Sequence, residues 1–435
     1  MKILIISHNP FSSTSNNGKT LETIFQEYNS EDISMFYFSE MLPDLDYNQN
    51  YFRITDKDVI KNTLSFTTKY YKSFFSKDEK VSTIMSFSLE KKKRIVGYVK
   101  KIPFLRDFLW KCGKWKIKPL FNWIESNDPD CIFYVAGPNS FSHSVANFLS
   151  KKYNLPLILF FTDDYLLNPK CRNWIDVWQR KRMAIFYQHS INRASLCFAI
   201  GELMASDYQV YFKKPFFPIM NIAELSHKLP TANNEGIVIS YFGGLHLGRW
   251  AEIAKLGKLL TLIQKDGDVP NIQLKVYSAT LSSEVERCFK ECNVNYAGFV
   301  NSDKMRMELA KADILLHVES TDDYYRSLTK LSVSTKLPEY ISTGRSILGF
   351  GPFEVASMRL LSDHRIGYVI SSDWQEDKIK THLKSFIKDV SLREELANNA
   401  YEYAWTAFNP DFVRKQFMKK VDEIIKKRRI DYDTI

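Results

Sequence analysis

No apolar run in the 435-residue sequence approaches the roughly 20 residues that a transmembrane helix needs. The opening segment Met1–Ser7 is too short for a signal peptide and no cleavage-site pattern follows it, so it predicts a buried first strand. The six cysteines are scattered, and only Cys288 and Cys292 are close in sequence. Because no further histidine or cysteine completes a zinc site with them, we expect reduced thiols in a cytoplasmic protein.

The sequence also lacks two common phosphate-binding signatures and shows no internal repeat of 20–50 residues. The chain has neither the Gly-x4-Gly-Lys-Ser/Thr spacing of a P-loop nor the Gly-x-Gly-x-x-Gly fingerprint of dinucleotide binding. No repeat of this length is visible, although the two halves of the chain share an architecture. Apolar residues make up 45% of the chain and charged residues 25%, as in globular proteins, and the net charge is +10. A chain of this length predicts two domains.

Short apolar runs alternate with helical patterns in two successive blocks, which predicts two doubly wound parallel sheets. The predicted strands of the first block are Ile3–Ser7, Asp32–Phe38, Asp130–Val135, Leu157–Phe161 and Leu196–Ile200, with helices at Ser140–Lys152 and Trp174–Arg193 and another beginning at Gly201. The strands of the second block are Ile237–Phe242, Ile272–Tyr277, Val294–Tyr296, Ile314–Val318, Ser346–Phe350 and Gly367–Ile370. The polar segment Ala223–Glu235 between them is the predicted linker. Helices are predicted to close the chain, the last of them at Asp411–Lys427.

The region from about residue 40 to 120 does not follow this alternation and is rich in basic and aromatic residues. Between Glu90 and Leu120 there are eleven lysines and arginines, and only Glu90 and Asp107 oppose them. Such a stretch, Lys91–Lys118, suits an anionic membrane surface. It also suits nucleic acid, or a solvated helical face whose aromatic residues enter the core. Nucleic acid ranks last, because the basic residues are confined to one segment.

Three stretches carry residues suited to a phosphorylated, sugar-bearing ligand. In the first, Asn17, Gly18 and Lys19 open a helix after a strand and a small-residue loop, an arrangement that cradles phosphate. In the second, Gly243 and Gly244 follow a strand and allow close approach of a pyrophosphate, with Arg249 beginning the next helix. In the third, Gly298–Val300 can present backbone groups to a base. Each of these features also has a purely structural interpretation.

A fourth stretch, Ser334–Arg345, predicts a polar turn, two turns of helix and a glycine stop. Ser334 or Thr335 can cap the helix, and Gly344 suits the left-handed position that often ends one. Lys336 and Glu339 are three residues apart and therefore share a helical face. A carboxylate that accepts hydrogen bonds from ribose hydroxyls is a common means of holding a nucleotide.

With these segments the second half resembles the donor domain of a GT-B glycosyltransferase of family 4 (group 1). The segments that carry the resemblance are Tyr241–Leu245, Tyr296–Val300, Ala312–Leu316 and Ser334–Arg345. The first half is similar too, through Pro10, Gly18 and Asn221. The resemblance covers nearly the whole chain apart from residues 40 to 120. It implies an α/β fold with two Rossmann-like doubly wound parallel-sheet domains facing an inter-domain cleft.

The resemblance assigns roles residue by residue. Glu339 stands at the second glutamate of the family's E-x7-E motif, which binds the donor ribose, but Leu331 stands where the first glutamate belongs. Gly244 occupies a position that is arginine in many members, and Arg249 one where a lysine contacts the diphosphate. Lys336 resembles the cation of a variant subgroup. The other donor-binding candidates are Gly243, Gly298, Val300, Ser334 and Thr335.

The resemblance also implies a domain organisation. We expect an acceptor-side domain at 1–222 with a basic aromatic insertion at about 40–120, a linker at 223–235 and a donor domain at 236–408. Residues 409–435 are expected to form a helix that returns to the first domain. His143 and Asp163 are candidates to contact the acceptor hydroxyl or the donor sugar. The alternatives are an ordinary helix-face histidine and a helix cap.

The function implied is transfer of a sugar from a nucleotide-sugar donor to a glycan or lipid-linked acceptor, in cell-surface polysaccharide synthesis and with retention. The alternative is a non-catalytic binding or assembly subunit that keeps the fold. We expect no cofactor and no metal, because the Asp-x-Asp sequences at 44–46, 128–130 and 266–268 arise readily by chance and two resemble turns. The expected location is the cytoplasm, peripheral at the inner face of the cell membrane through Lys91–Lys118. No nucleic-acid partner is expected.

Overall fold

The structure, a computed structural model, describes residues 1–12, 16–43, 50–74, 103–167, 170–171, 173–220, 222, 225, 227–230, 232 and 234–433. The chain divides into two units, each with its own sheet. Unit 1 comprises Met1–Leu166, Cys171–Ile219 and Arg414–Ile435, and unit 2 comprises Leu167–Lys170 and Met220–Val413. Asn221, which the sequence places at the exit of the first domain, lies outside the described residues.

Unit 1 is built on a sheet in which eight strands are described, in the order β4-β3-β2-β1-β5-β6-β7-β8. The strands are β1 (Ile3–Ser7), β2 (Ile33–Tyr37), β3 (Asn50–Arg53), β4 (Lys72–Phe74), β5 (Cys131–Ala136), β6 (Leu157–Phe161), β7 (Leu196–Ile200) and β8 (Phe217–Ile219). Neighbouring strands run parallel except β4, which is antiparallel to β3. The central strands β1, β5 and β6 are buried along their whole length, as expected of parallel strands covered on both faces.

The helices of unit 1 lie between its strands. They are α1 (Asn16–Phe25), α2 (Asp56–Leu64), α3 (Pro103–Cys112), α4 (Lys118–Asn127), α5 (Ser140–Lys152), α6 (Trp174–Arg193) and α7 (Gly201–Phe212), with a 3₁₀ turn at Ser30–Asp32. Asn173 caps α6 by accepting a hydrogen bond from the Asp176 amide, 3.0 Å long.

Unit 2 contains a sheet in which six parallel strands are described, in the order β11-β10-β9-β12-β13-β14. The strands are β9 (Ile237–Phe242), β10 (Ile272–Tyr277), β11 (Val294–Gly298), β12 (Ile314–Val318), β13 (Ser346–Phe350) and β14 (Tyr368–Ile370). The helices are α8 (Arg249–Lys265), α9 (Ser283–Glu291), α10 (Ser302–Ala310), α11 (Asp323–Thr329), α12 (Lys336–Ile341), α13 (Ala356–Asp363), α14 (Glu376–Lys388), α15 (Val390–Ala407) and α16 (Pro410–Asp433), which belongs to unit 1 from Arg414 onward. The prediction of an α/β chain with two doubly wound, mostly parallel sheets is confirmed.

The region from residue 40 to 120 contributes structure that the sequence did not predict. β3 and β4 extend the sheet of unit 1, and α2 begins with a capping box between Thr55 and Asp58. Trp110 and Trp115 are buried, and the Trp110 indole Nε1 donates to the Asp56 carboxylate over 2.7 Å. The two tryptophans therefore serve the core, as the third interpretation of this segment requires. Residues 44–49 and 75–102, including 91–101 of the basic stretch, lie outside the described residues.

The last helix, α16, fills the core of unit 1 from the far end of the sequence. The Phe417 ring packs edge-on against Phe25 and Phe133, with ring centroids 5.5 Å apart in both pairs, and lies 5.4 Å from Phe198. The Arg414 guanidinium donates to the Thr23 carbonyl over 2.9 Å. Residues close to the end of the chain thus complete a core that begins with its first helix.

We expect Phe417→Ala to destabilise unit 1 by about 3–5 kcal/mol, because it opens a cavity among three aromatic rings. Urea unfolding followed by tryptophan fluorescence would measure the change. Phe412→Ala on the same helix is the matched control, since Phe412 is exposed and its truncation should cost less than about 0.5 kcal/mol. Equal effects of the two variants would contradict the packing described for Phe417.

Candidate functional site

The candidate site of unit 2 lies where its parallel strands end. The carboxyl ends of parallel strands share one edge of the sheet, and in open α/β sheets this edge binds ligands. Gly243 and Gly244 directly follow β9, and Arg249 is the first residue of α8. Gly298 is the last residue of β11, and Val300 stands two residues after it. The structure therefore brings these predicted donor residues to the carboxyl ends of strands in one sheet.

The short helix α12 is fastened to β9 by one tyrosine. The Tyr340 hydroxyl accepts a hydrogen bond from the Phe242 amide over 2.9 Å and donates to the Phe242 carbonyl over 3.2 Å. Tyr340 is buried, and burial raises its pKa well above the ordinary value of 10, so the hydroxyl keeps its proton. This contact places the helix that carries Lys336 and Glu339 beside the strand end from which the glycine loop departs.

Lys336 and Glu339 lie side by side, as their spacing predicts. The Lys336 Nζ is 3.2 Å from the Glu339 Oε2, and both side chains remain partly exposed. The cap differs in detail from the expectation: Thr335 is the N-cap residue but makes no side-chain cap bond, while the Ser334 hydroxyl accepts from the Lys336 amide over 3.3 Å. Gly344 follows in the left-handed conformation with φ +70°, as predicted. A cation and a carboxylate thus face the same partly solvated space.

Arg249 is held by a carboxylate that the sequence did not reveal. Its Nη2 lies 3.0 Å from Oε1 and 3.3 Å from Oε2 of Glu319, a buried residue that directly follows β12. Burial acts to lower the pKa of Arg249, but the charge of Glu319 and the hydrogen bonds to Glu319 and Tyr241 outweigh it and raise the pKa. Arg249 is therefore a permanent cation in a fixed position.

The backbone around this pair explains the positions of both residues. Gly248 precedes Arg249 with φ +74°, a left-handed conformation that glycine adopts without strain. A side chain here would also meet Ser320 and the ring of Tyr325. The Glu319 amide donates to the Phe350 carbonyl over 3.2 Å, which fixes the loop after β12 against β13. The ion pair is thus built on backbone positions that are themselves constrained.

His317 on β12 adds a buried imidazole beside the pair. The His317 Nε2 is 3.5 Å from the Glu319 Oε1. This ring nitrogen has no hydrogen-bond partner among the described residues. Burial, with a further contribution from the charge of Arg249, lowers the pKa of His317 to about 3. The ring is therefore neutral near pH 7, and Arg249 is the partner that compensates the charge of Glu319.

A pocket of about 570 Å³ opens beside the ends of β10 and β11. It is lined by Tyr277, Ala297, Phe299, Val300, Asn301, Lys304 and Glu308. The Tyr277 ring stacks on Phe242 at 4.5 Å, and its hydroxyl donates to the Glu308 carboxylate over 2.9 Å. Phe299 is exposed at the rim. The volume and the mixed apolar and polar lining suit a planar ligand of small-molecule size.

The two catalytic candidates, His143 and Asp163, lie in unit 1. His143 is fully buried, with Nδ1 3.0 Å from the Ser190 hydroxyl and Nε2 3.2 Å from the Gly137 carbonyl. Burial lowers its pKa to about 4. Both ring nitrogens thus have protein partners, and a ligand would reach the imidazole only after one of them moved. This geometry favours the structural interpretation of His143, and its catalytic role stays a prediction.

Asp163 lies just beyond the carboxyl end of β6 and is partly exposed. Its Oδ2 accepts a hydrogen bond from the Tyr165 hydroxyl over 3.1 Å. The neighbouring Asp164 is buried and accepts from the Leu166 amide and the Tyr208 hydroxyl, each over 2.9 Å. Asp164 therefore holds the loop, while Asp163 stays on the ligand-binding edge of the sheet of unit 1.

The predicted phosphate loop begins α1, as its pattern indicated. Gly18 and Lys19 lie in the first turns of the helix Asn16–Phe25, and the Asn17 side chain lies outside the described residues. Their role in binding stays a prediction.

Leu331, at the place of the first motif glutamate, is fully buried. The chain there serves packing rather than ligand contact. Glu319 is the functional candidate that sequence reasoning missed. An acidic residue directly after a continuous apolar strand was the available signal.

Within the described ranges, no three side chains of the kinds that ligate metals come together. Two of the three Asp-x-Asp sequences lie in the described residues, and their aspartates take part in a helix end, a backbone hydrogen bond and an ion pair. Asp128 ends α4 in a left-handed conformation, and Asp130 accepts from the Lys2 amide over 2.8 Å. The Lys384 Nζ lies 2.6 Å from the Asp266 carboxylate. Residues 44–46 lie outside the described residues. In the part of the chain that the structure describes, no helix is both long and apolar enough to cross a bilayer.

Glu319→Ala should destabilise unit 2 by about 2–4 kcal/mol, because it leaves the largely buried Arg249 guanidinium, 16% exposed, without its counter-charge. Urea unfolding, with limited proteolysis to assign the transition to unit 2, measures the change. The double variant R249M/E319L should lose less than the single one, since no unpaired charge remains. Glu286→Ala, which breaks the exposed pair between Lys290 and Glu286, is the control and should cost less than about 1 kcal/mol. A small loss for Glu319→Ala would refute the pairing.

The stability of unit 2 should fall as the pH decreases below about 6.5, because the unfolded chain protonates His317 while the folded unit does so only near the lowered pKa of about 3. Stability from this group is complete above 6.5 and is lost by up to about 1.4 kcal/mol per pH unit below it. His317→Gln should show a weaker loss between about pH 6.5 and 4.5 in thermal unfolding. The same acid sensitivity in both proteins would contradict the assignment.

No family model matches the chain, and no curated protein matches it. Solved structures do. HepE of Anabaena in complex with UDP gives a TM-score of 0.58 at 13% identity, with 97% of this chain and 100% of HepE covered. A variant of TarM from S. aureus, in complex with UDP, fondaparinux and α-GlcNAc-glycerol, gives 0.61 at 12% identity, with 96% and 99% covered.

A third similar structure is WaaG, a glycosyltransferase involved in lipopolysaccharide biosynthesis, with a TM-score of 0.51 at 13% identity and 95% and 98% of the two chains covered. These likenesses extend over nearly the full length of each chain and agree with the two parallel sheets described for units 1 and 2. The protein therefore has the GT-B fold, the fold of the glycosyltransferases that it resembles.

Proposed function

We propose that the protein is a glycosyltransferase that moves a sugar from a nucleotide-sugar donor to a glycan or lipid-linked acceptor. The observation that carries this proposal is the placement of two cation–carboxylate pairs, Arg249 with Glu319 and Lys336 with Glu339, at the carboxyl edge of the sheet of unit 2. Arg249 begins α8, and Lys336 and Glu339 lie on α12, which Tyr340 fastens to β9. This charge pattern, in a chain with the GT-B fold, suits the diphosphate and ribose of a nucleotide sugar.

Departure of a nucleoside diphosphate from the anomeric carbon develops negative charge on the leaving group. Arg249 is oriented in advance by Glu319, so its guanidinium needs little rearrangement to stabilise that charge. The Lys336 ammonium is partly exposed on a flexible stem, and it can leave Glu339 for a phosphate oxygen. Glu339 would then accept hydrogen bonds from the ribose hydroxyls. The cations supply electrostatic stabilisation, and no cofactor enters this scheme.

UDP-sugars are the first donors to test, because HepE and TarM were solved with UDP. The pocket beside Tyr277 and Val300 has room for a base, and the exposed Phe299 ring at its rim offers a surface for stacking. The finer parts of the proposal are retention of the anomeric configuration and a role in cell-surface polysaccharide synthesis at the inner face of the membrane. WaaG, which acts in lipopolysaccharide biosynthesis, supports the choice of glycan acceptors for the first assays.

Glu339→Ala and Lys336→Gln should each lower kcat/KM for the preferred donor by about 10- to 100-fold, the loss expected for one hydrogen bond to a charged group. Incubation with a panel of nucleotide sugars, with products detected by mass spectrometry, identifies the preferred donor. The kcat/KM of each variant is then measured with that donor. Glu376→Ala, which removes an exposed carboxylate at the start of α14, is the control and should retain full turnover. Undiminished turnover of both site variants would overturn the assignment of the donor site.

A non-catalytic binding subunit is the second candidate function. It is favoured by Leu331, a buried leucine at the place of the first motif glutamate, and by the pairing of Arg249 with Glu319, which engages the cation within the protein. In this case UDP would raise the melting temperature of the protein, and no panel member would yield a transfer or hydrolysis product. Detection of either product decides for the enzyme.

A further inference from the structure

The helix α6 exposes apolar side chains in its first three turns and buries others from its middle onward. Its inward face buries Met183, Tyr187 and Ile191. A surface helix normally turns charged and polar residues to the solvent opposite such a face. Here the outward face carries two tryptophans, a valine and an isoleucine instead, and exposed apolar side chains grouped in this way indicate an interaction surface.

The outward residues form a single stripe over the part of the helix from Trp174 to Ile185. Trp174, Val177, Trp178, Lys181 and Ile185 stand at positions i, i+3, i+4, i+7 and i+11, the spacing of one helical face. Trp174 is 77% exposed, Trp178 45% and Ile185 69%. We call these five residues the α6 stripe.

Other helices of unit 1 also expose apolar residues, but in a different arrangement. Val210 and Tyr211 on α7 are both exposed. They are adjacent in sequence, so they point in different directions from the helix axis and do not form a stripe. Val210 and Tyr211 therefore serve as a control for the α6 stripe: they expose apolar side chains but do not form a continuous face.

Basic residues border the α6 stripe. Arg180 and Arg182 flank Lys181 in sequence, and the Arg182 guanidinium lies 5.6 Å from the centre of the Trp178 ring. Acidic groups are also present nearby: Asp176 on the same helix, and Asp107 of α3, which lies 3.2 Å from Arg182. The helix α3 also exposes Leu105 and Phe108. Three basic side chains and two acidic ones therefore lie in or beside the stripe, an excess of one positive charge, and Arg182 is paired with Asp107.

We propose that the α6 stripe binds the surface of an anionic lipid bilayer. Tryptophan prefers the boundary between headgroups and acyl chains, where its ring is buried and its indole N–H remains near water. Lys181 in the middle of the stripe can extend its ammonium group to the headgroups while its methylene chain stays with the apolar side chains. The surrounding arginines attract anionic lipids. The α6 stripe is separate from the basic segment Lys91–Lys101, which lies outside the described residues. It therefore offers the proposed membrane partner a contact surface that the structure does describe.

Charge complementarity favours the bilayer over a second copy of the chain. In a two-fold symmetric dimer the same patch meets itself, so the excess of basic residues is present on both sides of the contact. Like charges in such a contact oppose association. An anionic membrane presents only negative charge to this excess of basic residues, and Lys181 lies within the stripe itself. The stripe is also long and narrow, and such a shape suits a helix lying in the plane of a membrane.

Co-sedimentation of the full chain with phosphatidylcholine vesicles, with and without about 30% phosphatidylglycerol, tests the proposal in the absence of any donor. The result is thus independent of glycosyl transfer. Binding should require the anionic lipid and weaken with salt. W174S/I185S and K181E should each lower the partition coefficient at least about 10-fold. The matched control V210S/Y211S, which removes two exposed apolar side chains from α7, should bind like the wild type.

Three outcomes would overturn the proposal. The first is failure of the wild-type protein to bind anionic vesicles. The second is equal binding by W174S/I185S and the wild type, which would place the membrane contact elsewhere. The third is a concentration-dependent dimer in analytical ultracentrifugation that W174S/I185S dissociates, which would make a second copy the occupant. Unchanged melting temperatures of the variants exclude misfolding as the cause of any loss.

Discussion

The candidate donor site depends on a pair of hydrogen bonds between the Tyr340 hydroxyl and the backbone of Phe242. Phe242 is the last residue of β9, so its amide and carbonyl are among the groups that a strand end leaves for loops to satisfy. The Tyr340 hydroxyl forms a hydrogen bond with each of these two groups. It thereby holds α12, which carries Lys336 and Glu339, against the end of β9, from which the glycine loop departs. The neighbours of Tyr340 on α12, Leu337 and Ile341, are buried and keep the helix in place.

The ion pair between Arg249 and Glu319 is the second contact on which the candidate site depends, with Glu319 buried and Arg249 largely so. Burying either charge alone would be costly, so each makes the position of the other tolerable. The arrangement leaves Arg249 charged and oriented before any ligand arrives, and preorganised charge stabilises a developing anion at little reorganisation cost. The neutral His317 beside the pair does not compete with Arg249 for the carboxylate. The Arg249 side chain is 16% exposed and held by Glu319, whereas the Lys336 side chain is 34% exposed and has more freedom to move.

The core strands and the polar residues at their ends could be predicted from sequence, because uninterrupted apolar runs such as Leu157–Phe161 and Ile314–Val318 have few alternatives to a buried parallel strand. The short elements between residues 50 and 74 could not, since β3 and β4 have four and three residues and gain their stability from neighbours in the sheet. The contact between Arg249 and Glu319 joins residues 70 positions apart, and no local pattern encodes such a distance. The burial of Leu331 likewise depends on tertiary packing.

The position of α16 has a consequence for how the protein is made. The aromatic site formed by Phe25, Phe133 and Phe198 is complete only when Phe417 enters it. The ribosome must first translate Met220–Val413, which takes on the order of 10–40 s at ordinary elongation rates. During that interval Phe25, Phe133 and Phe198 have been made, while the ring that packs against all three has not. The order of the chain therefore sets the order of assembly, since unit 1 can bury these three rings against Phe417 only after unit 2 has been translated.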